Sequence, residues 1–326
     1  MRVAIYLPLV IPLLAAVAAG PVVDRLPPRA ATWLLAVGAL VLALASSAVL
    51  GLLALSALIR LPAVDALGHL SRSAVTSGDA VSLPVAIVAG ALLAAAAAAA
   101  VTAAWRGVAA IVRAHRHASG LPGAGAIVVT ADAAADAYTV PGWPCRIVVT
   151  EGMLRALSAR ERDVLLAHER THAANSHYLF TSVARLAAAA NPLLRPVAAA
   201  VGYAVERWAD ERAAAETGDR GLAARAVAHA ALATSAAPPD RDAAVIALGL
   251  ITHDGDDPGA GKRGKDGPRR PGPVPRRVAA LLAPPVRLSP LLIAAAVVLV
   301  AISGACALEA ARTLHQLIEI AQGQPG

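Results

Sequence analysis

Five consecutive residues, His168-Glu169-Arg170-Thr171-His172, carry the most specific chemical signal in this chain. On a helix, residues four apart share one face, with Cβ atoms about 6 Å from each other. Two imidazoles so placed can direct ring nitrogens at a single Zn²⁺ about 2.0–2.1 Å away. Glu169 projects about 100° around the axis from His168. From there its carboxylate can reach a water at the metal without ligating, the position a general base requires. With nine histidines and eight glutamates in the chain, random placement gives only about 0.006 such motifs.

A catalytic zinc, one per chain, needs a third protein ligand and one open position. Downstream, Glu206 and Asp210 are again four apart, in Glu206-Arg207-Trp208-Ala209-Asp210. Glu206 is the candidate carboxylate ligand. Asp210 is the candidate acceptor of an N–H from a ligating histidine, a contact that fixes the tautomer and raises ligand basicity. Arg207, Tyr203, Tyr178 and, on the substrate side, His177 could each stabilise an oxyanion, and the residue types do not choose among them. His177 lies nine positions past His168, about half a turn around an ideal helix, so a surface or substrate-side role and no role both stay open. His115 and His117 follow an apolar run and read as interfacial; Trp208 reads as core packing.

The elements that must position these groups have their own signals. Ser158 followed by Glu161 is a capping box and predicts a helix from about 158 to 175. Upstream, Ala126–Ala131, Ala137–Pro141 and Cys145–Thr150 are short runs rich in Val, Ile, Thr and Tyr, which predict a small antiparallel sheet. Pro192 ends one helix, Pro196 sits in the first turn of another, and Gly218 closes that second helix around Glu206.

Composition supplies the frame. The chain has 326 residues, 57% hydrophobic and 16% charged, with mean hydropathy +0.61. Soluble domains carry about 25% charged residues. Apolar runs at 3–23, 31–58, 81–104 and 289–308 meet the roughly 20 residues needed to cross a bilayer. The first also has some character of a signal peptide. The expected layout is three spans in 1–105, a water-facing domain in 106–252, a flexible Gly/Pro/charged loop in 253–275, a juxtamembrane segment in 276–288, a fourth span in 289–308 and a short tail in 309–326. The expected fold class is therefore mainly α with a small antiparallel β-sheet, a four-span membrane protein with an inserted peptidase-like domain. Arg25, Arg29, Arg106, Arg113, Arg116, Arg276, Arg277 and Arg287 flank the spans on one side. Arg2, Arg60, Arg72 and Arg312 flank them on the other, which favours a cytoplasmic 106–287 segment. The net charge of +7 and pI near 10.2 belong to this flanking pattern rather than to direct nucleic-acid binding, since aromatic-basic interleaving is absent. Two cysteines, Cys145 and Cys306, cannot build a disulfide framework and read as small buried hydrophobes.

Thr150-Glu-Gly-Met-Leu154 before the capped helix, Leu166-Ala-His-Glu-Arg-Thr-His172, and Glu206-x-x-Ala-Asp210 together resemble the gluzincin membrane peptidases. These comprise the HtpX and CAAX prenyl endopeptidase group and the BlaR/MecR antirepressor group. The likeness covers roughly 120–217 closely and the span order more loosely. It implies zinc on His168, His172 and Glu206, with Glu169 as base. It also implies that Asp136-Ala137-Tyr138 resembles the edge strand on which such enzymes lay out a peptide, by β-augmentation. The span order is nearer the antirepressor group, yet only 309–326 follow the last span where that group carries a penicillin-binding sensor. Arg160-Glu-Arg-Asp163 just before the motif would be very costly inside lipid, unlike the setting in intramembrane site-two proteases.

The expected function is a membrane metalloendopeptidase acting on a protein or peptide. The resemblance implies a cytoplasmic transcriptional repressor as substrate in one branch and damaged membrane proteins in the other. The alternative is a non-catalytic membrane sensor with a structural or vestigial metal, although a structural site would be closed by four protein ligands.

Overall fold

The computed structural model describes residues 6–58, 83–120, 125–142, 145–236 and 271–321. Of the loop expected over 253–275, residues 253–270 lie outside the described residues, and 273–275 belong to a helix instead. Four helices are long and apolar enough to cross a membrane: α1 (Leu7–Arg25), α2 (Pro28–Leu58), α3 (Leu83–Gly120) and, last in the chain, α10 (Pro290–Ala321). α3 continues well past the expected end at 104, carrying the exposed His115 and His117 on its final turns. Small residues let these helices approach closely, as lipid-embedded packing favours. A Cβ on Gly38 of α2 would already touch Val300 of α10.

Between α3 and α10 lie three strands and six helices among the described residues: β1 (Ile127–Thr130), β2 (Ala137–Val140), β3 (Arg146–Thr150), α4 (Glu151–Ala156), α5 (Ala159–Ala174), α6 (His177–Ala190), α7 (Arg195–Thr217), α8 (Arg220–Ala236) and α9 (Pro273–Leu282). A short 3₁₀ turn, Pro192–Leu194, joins α6 to α7.

The sheet is mixed, with order β1-β3-β2, where an antiparallel one was expected. β2 pairs antiparallel to β3, but β1 runs parallel to it. The reason is that β1 leads not into a hairpin but into a connection across residues 131–136, stitched to the start of α4. There the Gly152 N–H donates to the Asp132 carbonyl at 2.9 Å. A Cβ on Gly152 would sit 2.2 Å from the Ala133 carbonyl oxygen, so only glycine admits this approach. β2 is left at the sheet edge, beside α5.

One large core joins α6 and α7 to α1 and α2: Ala187, Val201 and Ala204 are buried with Val23, Leu26 and Leu42. A second joins α5 and α7 to α8 and α9 through Ala167, Ala213, Leu222 and Leu281. Both cysteines are half-buried, less enclosed than core hydrophobes.

Candidate metal centre

Helix α5 starts at Ser158, whose backbone N–H donates to Glu161 Oε2 at 2.9 Å and whose hydroxyl donates to the same oxygen at 2.7 Å. The other oxygen of Glu161 meets His229 Nδ1 of α8 at 2.7 Å, tying the helix start to a neighbour. Burial raises the Glu161 pKa, but the Ser158 hydrogen bonds and His229 outweigh it and leave it below the usual value. From that anchored end, α5 presents His168, Glu169 and His172 to α7, which presents Glu206 and Asp210.

His168 Nε2 and His172 Nε2 lie 3.0 Å apart. Glu206 Oε2 is 3.6 Å from the first and Glu206 Oε1 is 3.7 Å from the second. Zinc at about 2.0–2.1 Å from tetrahedral donors needs donor–donor edges of about 3.3 Å. These three edges bracket that value, and two imidazoles with a carboxylate are the donor set zinc takes in open sites. Among the described residues, these three are the group that can hold a metal ion. Glu206 keeps 26% of its side chain exposed against 12% for each histidine, so the cluster opens on the Glu206 side.

The far side of each ring is held. His168 Nδ1 is 3.0 Å from Asp210 Oδ1, so with Nε2 facing the cluster its Nδ1–H donates to the carboxylate. His172 Nδ1 is 3.0 Å from His177 Nδ1. With His172 Nε2 in the cluster, His172 Nδ1–H donates and His177 Nδ1 accepts, leaving the His177 N–H on Nε2, which is buried without a partner. This corrects the expected placement of His177 half a turn away on a continuous helix. α5 ends at Ala174, Ser176 turns left-handed at φ 49°, and His177 opens α6 facing back toward His172.

Thr139 of β2 and Arg277 of α9 complete the site, and neither was singled out in the sequence. The Thr139 hydroxyl is 2.8 Å from Glu169 Oε2 and 3.0 Å from the Glu169 carbonyl oxygen. Arg277, expected only as a charge flanking a span, is turned inward instead. It holds Asp210 with two nitrogens and places Nη1 3.0 Å from Glu206 Oε2. Nothing local in its sequence marks this; the contact is made by tertiary packing of α9 on α7 and α8.

The electrostatics follow. Burial lowers the His168 pKa, but hydrogen bonds to Asp210 and Glu206 outweigh it and push it up to about 10. A divalent cation answers the same two carboxylates as that proton does. Burial pulls His172 down to about 4 and His177 to about 3, which keeps both neutral. Burial would raise Glu206 and Asp210, yet Arg277 and the histidines hold both carboxyls below their usual values. Glu169 is raised, chiefly by burial, which makes it a stronger base than an ordinary carboxylate.

The remaining candidates are placed elsewhere. Arg207 is buried and donates through Nη1 to the Val23 carbonyl at 2.8 Å, toward α1. The Tyr203 ring lies under Arg276, 4.2 Å from centroid to guanidinium carbon. Trp208 packs against His177, ring centroids 4.6 Å apart. Asp136 spends both backbone groups on Thr150, which leaves Ala137 and Tyr138 as the part of the suggested substrate strand that lies in β2.

No curated protein and no solved structure matches the chain. Residues 103–212, which contain His168, Glu169, His172, Glu206 and Asp210, match the model of peptidase family M48, a match that supports a metallopeptidase of that family.

Proposed function

We propose that the protein is a multi-pass membrane zinc metalloendopeptidase, with His168, His172 and Glu206 as metal ligands and Glu169 as general base. The observation that carries this is the triangle of two Nε2 atoms and one carboxylate, with an independent, buried carboxylate beside it. Zinc held there supplies a Lewis acid that acidifies water and polarises a carbonyl.

The chain's own groups do the rest. Asp210 and His177 keep the two imidazoles in the tautomers that aim Nε2 at the cluster. Arg277 holds Asp210 and Glu206 in place. The Thr139 hydroxyl steadies Glu169, whose carboxylate takes a proton from the attacking water and passes it to the leaving amine. A peptide adding to the free edge of β2 would run beside Glu169, because Thr139 joins that strand to the base. The substrate is a protein, either a regulatory repressor or a membrane protein. The arginine distribution favours a cytoplasmic catalytic region.

Purified full-length protein tests this through metal content together with cleavage of casein or of itself. One zinc per chain and cleavage abolished by a chelator are expected. A metal-free protein, or cleavage indifferent to the chelator, refutes the reading.

A further inference from the structure

Helix α9 brings Arg277 to the metal cluster, yet little apolar surface keeps the helix there. Of its ten residues, Leu281 is the buried one. Leu281 lies in one cluster with Leu222, Ala223 and Ala226 of α8, with Val278 half-buried beside it. Leu282, the next residue, is 67% exposed. Past Ala283 the chain runs on into α10, so α9 is tied directly to that long apolar helix. Something other than apolar burial must hold its register against α7.

The last carbonyls of a helix have no partner within it. At the end of α9 those partners come from Arg220, the first residue of α8. Its Nε donates to the Leu281 carbonyl at 2.9 Å, and its Nη2 to the carbonyls of Ala280 at 3.1 Å and Ala283 at 3.2 Å. A cation there also meets the negative end of the helix dipole. Glu211 of α7 holds the same guanidinium from behind, with Nη2 3.0 Å from Oε1 and Nη1 paired to Oε2. Glu211 follows Asp210 in sequence, so consecutive carboxylates of α7 each grip an arginine. Asp210 takes Arg277 directly; Glu211 takes Arg220, which holds the end of the helix that bears Arg277. Leu281 is four residues past Arg277, about 6 Å along the axis. Arg277 sits 2.7 Å from each Asp210 oxygen. A slide of α9 by one residue's rise, about 1.5 Å, would break both bonds.

We infer that Arg220 is a positioning residue for the metal cluster: set by Glu211, it locks the last turn of α9 and so keeps Arg277 on Asp210 and Glu206. Its own hydrogen bonds go to Glu211 and to α9, and it acts on the cluster only through them. That the cluster takes zinc rests on the metallopeptidase reading; the lock rests on the contacts of Arg220 alone.

Hydrogen exchange read by mass spectrometry, on metal-free full-length protein in detergent, tests the lock. In Arg220→Met the amides of residues 277–282 should exchange roughly tenfold or more faster than in wild type, because the helix opens locally. Those of α5 should keep their wild-type rates. Zinc affinity, from competition with a chromogenic chelator, should fall about tenfold, the lower end of what losing a ligand's direct partner costs. Arg220→Lys keeps a cation at the helix end but not the fork on Glu211, and should lie between. Adding Arg220→Met to Arg277→Lys should weaken zinc by less than about threefold more, since residues that act through one another are not additive. Where Arg220→Met disturbs α5 as well, Glu211→Gln, which leaves the guanidinium without its charged partner, serves for the same comparisons. Wild-type exchange in α9, a loosened α9 with unchanged zinc affinity, or the full tenfold loss on top of Arg277→Lys overturns the inference. A wild-type chain that takes up no zinc counts against the metallopeptidase reading instead, and the exchange rates then decide the lock by themselves.

Discussion

Arg277 grips Asp210 with two parallel hydrogen bonds, Nε to Oδ2 and Nη2 to Oδ1, each 2.7 Å long. The same guanidinium reaches Glu206, and Asp210 reaches His168, so one residue of helix α9 aligns the α7 half of the candidate metal cluster with the α5 half. The buried Asp210 and half-buried Glu206 carboxylates, both held by this guanidinium, would repel without it. The arrangement also joins the site to the spans, because Arg276, the preceding residue, pairs with Asp24 of α1 at 2.8 Å.

Arg277→Met should therefore be severe. Removing one partner of a buried ion pair costs roughly 3–5 kcal/mol, mostly through the charge left behind. Arg277→Lys should recover only part of this, since an ammonium cannot form the two-pronged contact. Thermal unfolding in detergent measures both, and a midpoint equal to wild type in the Met variant would show that the pair holds nothing together.

Zinc affinity should depend on the groups behind the two rings. Asp210→Asn and His177→Phe should each weaken binding about 10–100-fold, the usual cost of removing the partner that orients a ligating imidazole. The Phe variant keeps the contact with Trp208 while deleting the acceptor at His177 Nδ1. Competition against a chromogenic chelator gives the constants. Unchanged affinity in His177→Phe would reduce His177 to packing.

Gly152→Ala should be destabilising by more than the usual surface substitution, which stays within about 0.5 kcal/mol. The added methyl would meet the Ala133 and Ala134 carbonyl oxygens at 2.2 and 2.6 Å, and both are backbone atoms that cannot rotate away. Residues 131–136 must shift, and they set the start of β2 and so the position of Thr139 beside Glu169. A variant with unchanged unfolding midpoint and unchanged cleavage would contradict this.

The pH dependence of the α5 start has a definite sign. Folding depresses the Glu161 pKa below its usual 4.5. The stability that the charged carboxylate contributes is therefore complete above that value and is lost as pH falls through the lower folded value. Glu161→Gln should cost about 1 kcal/mol near neutral pH, in the range of a lost helix cap. Its unfolding midpoint should converge on that of wild type in acid below 4.5. A constant gap across that window would mean that ionisation of Glu161 plays no part.

Sequence signals are legible where the physics is local. The capping box at Ser158 and Glu161 placed α5 almost to the residue, and Gly218, at φ 70°, ends α7. Hydropathy located all four long apolar helices. The i, i+4 pairs put His168 with His172 and Glu206 with Asp210 on shared faces because helix geometry requires it. What sequence could not show depended on distant contacts. The parallel pairing of β1 with β3 is decided by the route of residues 131–136. His177 depends on a single left-handed residue, Ser176, which is neither glycine nor asparagine. Arg277 is separated from Asp210 by a stretch that includes residues outside those described, and its charge alone made it look like any other span-flanking arginine.

Glu169 separates chemistry from assembly, which makes it the sharpest single substitution. The residue is only 6% exposed, yet its carboxylate lies outside the three donor atoms that face one another, and its hydrogen-bond partner is Thr139 rather than a histidine. Glu169→Gln preserves the shape and can still accept from the Thr139 hydroxyl, but it cannot take a proton. Cleavage should fall by at least the roughly 10²–10⁴-fold that a positioned base contributes, with zinc content still near one per chain. Thr139→Val should fall less, because it only loosens the base. If Glu169→Gln cleaved at the wild-type rate with its zinc retained, the proton would have to leave by another group, and the assignment of Glu169 would be wrong.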